Sequence, residues 1–211
     1  HGVQLHAATT VNVLTASALT SIADISAATG IGAAATVDDF SVYALRTSAN
    51  IDGTDTTDTL KIVNGGLILN GNAGPVLGGT TSFNLIFGTG AAASAVDAYV
   101  YVREGQSGIA TIAANFTAAD FIKSGAGNLL LSGTANVMQP PTTGTGLRTL
   151  FVQEGQLRFA GASSVPTAGG TANGGVNLMV NDTGTLDLNG LGLAFGSLSG
   201  TGFVTNNSAT A

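Results

Sequence analysis

Cysteine and tryptophan are missing from all 211 residues. Without thiols there is no disulfide framework, no Cys-ligated zinc and no thiol nucleophile, although that absence alone does not fix the compartment. Charge is nearly as scarce. Charged residues make up 9% of the chain, against about 25% in an ordinary globular domain. With 6 Lys+Arg against 12 Asp+Glu and a formal net charge of −6, no basic patch is available to neutralise phosphates, so neither nucleic acid nor an anionic membrane surface is an expected partner. Aromatics at 6% leave little for stacking on sugars. No apolar run reaches the roughly 18 residues that would span a bilayer, so no membrane insertion by this segment is expected. The opening HGVQLHAATT has neither a basic n-region nor an apolar h-region; for a secreted protein, the export signal is expected to have been removed or to lie outside this chain.

What the chain has instead is 44% hydrophobic residues and 31 glycines. Its polar side rests on Thr, Ser, Asn and backbone rather than on ions, a surface that suits long β architectures. No linker or composition break marks a second domain. The chain reads as a single domain over 1–211, with a less regular leading segment 1–40 and repeat-like coils over 41–207. Helical signals are confined to single turns at 91–96 and 117–123, neither sustaining a 3.6-residue period. Pro140 and Pro141 interrupt one coil and are expected in a loop.

Self-similarity is the most informative feature. LKIVNGGLILNG (60–71) and LFVQEGQLRFAG (150–161) align without gaps as large-x-large, a glycine turn, then large-x-large again. LMVNDTGTLDLNG (178–190) fits with one extra residue before its glycine; FIKSGAGNLLLSG (121–133) keeps the order, and YVYVREGQSGIATI (99–112) is looser. The alternation has period two. Leu60, Ile62, Leu67 and Leu69 are expected to point one way, and Lys61, Val63 and Ile68 the other. Glycine at the corner supplies positive φ for a sharp bend. Two short strands around a corner, repeated with irregular connections, describe the coils of a solenoid, although EG and NGG turns also suit hairpins, which leaves a sandwich or meander open. Asn64, Asn70 and Asn189, near turns, are candidates for side-chain ladders between coils.

FIKSGAGNLLLSGTANV (121–137) followed by LFVQEGQLRFAG resembles the autotransporter-associated β-strand repeat, also called the passenger-associated transport repeat. Lys123, Gly125, Gly127, Leu129, Leu131, Ser132 and Gly133 fall on the first half of its pattern, and Val152, Gly155, Leu157 and Gly161 on the second. FGSLSGTGFVTNN (195–207) is similar to a coil that often follows such repeats, and VYALR (42–46) to a segment before them. The spacer departs from the family, reading ANVMQPPTTGTG where an N-x-Y-x-G-G-T pattern is usual. The resemblance spans roughly residues 40–207 and implies an all-β, right-handed parallel β-helix (β-solenoid), extracellular or on a bacterial cell surface. No translocating barrel is expected within this sequence.

Candidate chemistry is thin. Asp52, Asp55 and Asp58 in NIDGTDTTD are the only candidate metal ligands, presenting oxygens to Ca2+. Their spacing is not an EF-hand loop, and a solvated loop capped by its own aspartates is the more economical reading. No other cofactor is expected. Asp38 and Asp39 fall on opposite faces of a strand, a poor arrangement for cooperating carboxylates. His1 and His6 lie far from most acids, no G-x-S-x-G elbow is present, and the glycine-rich SGAGN and GTGAAAS precede no helix that would cradle phosphate. No catalytic residue is assigned, and the chain is not expected to be an enzyme. The expectation is a structural or adhesive surface protein, associating end to end through open strand edges or continued by a longer chain. A carbohydrate- or host-ligand-binding passenger module using loops 48–58 and 134–147 is the alternative, and a β-helical carbohydrate-active enzyme comes third.

Overall fold

The computed structural model describes residues 9–10, 18–31, 39–90, 94–139, 147–168 and 175–207. Within them lie twenty strands and a 3-10 turn, Ala162–Ser164. The ladders between strands are parallel, and the antiparallel contacts are isolated bridges at Gly88–Ala95 and Thr167–Gly175.

The strands fall into three columns. Column A stacks residues 39–42 of β4 (Asp39–Thr47) under β6 (Thr59–Ile62), β9 (Asn84–Phe87), β12 (Asn115–Ala118), β15 (Val137–Met138) and β17 (Thr167–Ala168). Column B runs from β1 (Thr9–Thr10) through residues 22–25 of β2 (Ala18–Ile25), residues 44–47 of β4, β7 (Gly66–Leu69), β10 (Ala98–Val102) and β13 (Phe121–Ser124). It continues into the first half of β16 (Thr149–Phe159), the first half of β18 (Asn177–Asp187) and β19 (Ser197–Ser199). Column C holds β3 (Thr29–Ile31), β5 (Ile51–Gly53), β8 (Val76–Leu77), β11 (Ala110–Ile112) and β14 (Asn128–Leu131), then the second halves of β16 and β18, and β20 (Phe203–Thr205). The chain visits A, B and C in turn, and each circuit lies over the one before. This is a parallel β-solenoid, not closed into a barrel.

Alternation decides which side chains fill it. Leu60, Ile62, Leu67 and Leu69 are fully buried, whereas Ile68 is exposed and Lys61 and Val63 are intermediate, as the pattern requires. Because the coils stack in register, inward residues form ladders along the axis. Leu60, Leu85 and Phe116 line column A, and Ala110, Leu129, Leu157 and Leu186 line column C. The Phe116 and Phe121 rings meet inside with centroids 5.0 Å apart. Each large buried side chain contributes about 1.5–3 kcal/mol.

Three details differ from the sequence reading. Residues 117–123 make no helical turn: they belong to β12 and β13, joined by a tight A-to-B corner at Ala119 and Asp120. The segment 60–71 turns the A-to-B corner, whereas 121–133, 150–161 and 178–190 turn the B-to-C corner, so the matching copies are not equivalent parts of successive coils. The extra residue of the 178–190 copy is a bulge: Val152 pairs with Val180 but Glu154 with Thr183, and Asp182 takes φ 37°. Residues 91–93, Pro140 and Pro141 lie outside the described residues.

Candidate functional site

β5 and the loop after it hold the three candidate calcium ligands, and the fold gives each carboxylate its own protein donors. Asp58 is fully buried. Its Oδ2 accepts from the Thr54 hydroxyl at 3.0 Å and from the backbone N–H groups of Thr54 and Asp55 at 2.5 and 3.2 Å, while Oδ1 is buried without a hydrogen bond. Asp55 Oδ1 accepts from the N–H and hydroxyl of Thr57 at 2.7 and 2.6 Å, bonds that hold this carboxyl below the usual range. Asp52, on β5, accepts from Thr80 N–H at 2.8 Å. Asp55 and Asp58 thus share one self-capped loop, and Asp52 turns to a different partner. Among the described residues no three His, Cys, Asp or Glu side chains converge.

Acids and bases far apart in sequence meet across adjacent coils, one pair at a time. Lys61 donates to Asp39 at 2.6 Å and Arg158 to Asp187 at 2.6 Å; Arg46 pairs with Asp24, and Arg148 lies 3.9 Å from Asp120. The bonds from Lys61 and Arg46 lower the Asp39 and Asp24 carboxyls. Burial would raise Asp187, but the Asn189 N–H, the Arg158 guanidinium and the Asn207 N–H outweigh it and hold it low. At the A-to-B corner, Asp97 Oδ1 accepts from Asp120 N–H at 3.1 Å and Asp120 Oδ1 from Thr149 N–H at 2.9 Å, so each carboxylate caps the coil above. His1, His6 and Asp38 lie outside the described residues.

Two buried polar residues stitch coils together. Lys123 occupies an inward position between Val100 and Val152, with no exposed surface. Its ammonium donates to the carbonyls of Ser124 at 3.3 Å, Gly125, and Glu154 at 2.8 Å on the next coil. Burial pushes its pKa down to about 8, opposed by the charge of Glu154. Asn136 accepts from Phe116 N–H at 3.1 Å and donates to the carbonyls of Gly133 and Ser164, both at 2.9 Å, joining three coils. Of the three asparagines expected in ladders, Asn189 reaches across coils, donating to Phe159 O at 3.1 Å, whereas Asn70 Oδ1 is buried without a partner. Asn50, Asn115 and Asn206 accept backbone N–H groups from other strands and turns.

The outer surface of column B carries a run of large side chains. Tyr99, Ile122, Phe151 and Met179 follow one another in register up four coils, and Ile68 and Tyr101 form a parallel row beside them. Tyr99 is 55% exposed, Tyr101 45% and Ile68 40%. From β7 to β19 the outward positions within the strands carry no charged side chain, and Asp97 and Asp120 border them at the A-to-B corner, where the Tyr99 hydroxyl lies 3.5 Å from Asp97 Oδ2. The chain matches no family model, no curated protein and no solved structure.

Proposed function

We propose that this chain is a structural or adhesive rod of an extracellular bacterial surface, a passenger-like β-solenoid that extends by laying coil on coil. The observation that supports this most directly is the parallel stacking of coil on coil in all three columns, which makes length the property the architecture supplies. The resemblance of residues 121–161 to the autotransporter-associated repeat points the same way. In the last described coil, Leu198 and Val204 stand over the buried Leu178 and Leu186 yet are 59 and 44% exposed. Further strands stack there, from the same chain or from another copy. The self-capped loop at 54–58 spends its carboxylates on its own backbone, which favours the rod over a loop-borne ligand site.

Negative-stain electron microscopy of the purified protein over a dilution series tests the reading. Short rods or end-to-end filaments, with an axial fibre reflection near ~4.8 Å, are the expected result. Particles without a long axis overturn it.

A further inference from the structure

We propose that the corner between β5 and β6 holds a calcium ion, bound by Asp58 together with main-chain carbonyl oxygens of its own coil and the next. The ion is an internal strut between two coils rather than a ligand presented on a loop, and it stands or falls apart from the rod reading.

Asp58 carries the argument. Its side chain is fully buried, and its two oxygens are treated unequally. Oδ2 accepts from the Thr54 hydroxyl and from the N–H groups of Thr54 and Asp55, whereas Oδ1 lies inside the protein with no hydrogen-bond partner. A carboxylate oxygen withdrawn from water and given no donor is costly, and such an atom points to an ion or a water molecule held against it.

Charge favours the ion. Asp52, Asp55 and Asp58 crowd into one short stretch, and among the described residues no lysine or arginine pairs with any of them: the ion pairs use Asp24, Asp39, Asp120 and Asp187. A water molecule would satisfy Oδ1 and leave the buried negative charge uncompensated, whereas a cation does both.

The surroundings supply oxygen. A Cβ on Gly53 would lie 2.7 Å from Asp55 O, 2.9 Å from Ser82 O and 3.3 Å from Asp58 Oδ2, so the carboxylate and two carbonyls already gather over this glycine. Ser82 belongs to the corner of the next coil, which is tied to this one by the Gly53 N–H donating to Thr81 O at 2.9 Å and by Asp52 accepting from Thr80 N–H at 2.8 Å. Calcium takes six to eight oxygens in flexible geometry and draws on main-chain carbonyls and water as well as carboxylates; magnesium demands a regular octahedron. One carboxylate among carbonyls therefore suits calcium without a cluster of three acids. Asp52 and Asp55 keep their Thr80 and Thr57 donors and act on the ion through space.

Thermal unfolding of the full chain in EGTA and in a calcium chloride series tests the site. Calcium is expected to raise the Tm of the wild type saturably and magnesium to leave it unchanged. Asp58→Asn is expected to abolish the shift, and Asp97→Asn, at the A-to-B corner, to keep it. Amide exchange of the wild type decides the matter if Asp58→Asn does not fold: at ten times its dissociation constant, calcium is expected to slow exchange about tenfold at residues 53–58 and 81–84 and to leave β10 and β13 unchanged. Equal Tm and exchange in EGTA and calcium overturn the proposal and assign Asp58 Oδ1 to water. An equal shift with magnesium, a shift that survives Asp58→Asn or vanishes with Asp97→Asn, or protection spread evenly over the molecule overturns it as well.

Discussion

Lys123 stands where the ladder otherwise places valine, with Val100 below and Val152 above. Three ammonium protons meet three backbone carbonyls, so the charge is satisfied by hydrogen bonds although no carboxylate touches it. Burial still favours the neutral amine, and the pKa falls from 10.5 to about 8. Below the folded-state value both folded and unfolded chains hold the proton, and the full cost of the buried charge is present. Between about 8 and 10.5 the unfolded chain binds more protons, so this residue's contribution to stability rises with pH and is complete above the unfolded value. Urea unfolding of wild type and Lys123→Met at pH steps across that window is therefore expected to show the wild type gaining on the order of 3 kcal/mol relative to the variant; two parallel curves would mean that the lysine titrates normally. The parity of FIKS, with Phe121 and Lys123 two apart, puts this lysine on the inward side, so its position is legible in the sequence. Its partners are not, because they are main-chain carbonyls, one of them supplied by a coil that begins far downstream. Asn136 escapes a sequence reading for the same reason: what it bridges exists only once Gly133, Ser164 and Phe116 have been stacked.

Strand, corner and strand form the unit in which this sequence is written. The alternation of 60–71 gives the correct inward set because burial on one face is a local property of a strand. Which corner a copy turns is not local. The motif reads the same at an A-to-B and a B-to-C corner, and only the coil above distinguishes them. The turn at 117–123 misleads for a related reason: TAADFIK has helix-forming residues, but Phe116, Phe121 and Lys123 are claimed by ladders that pair with strands on both sides. Corners also concentrate the backbone constraints. Gly155 has φ 63°, and a Cβ there would lie 2.5 Å from Gly127 O on the coil below. Left-handed φ alone costs a non-glycine residue roughly 1–2 kcal/mol, and separating two hydrogen-bonded coils adds to it. Gly155→Ala is expected to lose at least about 2 kcal/mol in urea unfolding, with Gly192→Ala, which meets nothing within 4 Å, within about 0.5 kcal/mol of wild type. Equal effects at the two positions would show that the corners relax freely.

Along the whole molecule, stability is shared between neighbours: an interior coil bonds to the coils on both sides, whereas among the described residues β19 and β20 bond to β18 alone. The core follows the same gradient, from fully buried Leu129 and Leu157 to Leu198 at 59% exposure. Polar bonds help to hold the last coil: Asp187 accepts the Asn207 N–H at 2.9 Å, and the hydroxyl of Ser197 donates to Asn177 at 2.8 Å. Amide exchange in a dilute sample is thus expected to be slowest in β10, β13 and the centre of β16, and fastest in β19 and β20, because local opening needs fewest contacts broken there. The Asp187 carboxyl adds a direction in pH. Held below its ordinary value in the folded chain, it contributes stability that is present at neutral pH and lost as pH falls through the folded value, so acid is expected to release β20 before it touches the interior coils. Concentration then separates the ways in which the end is covered. If copies stack end to end, β19 and β20 gain protection as the sample is concentrated, tenfold for each ~1.4 kcal/mol of contact, while the exposed row at Tyr99 and Tyr101 does not change. If nothing stacks on that end, the end strands exchange at the same rate at every concentration.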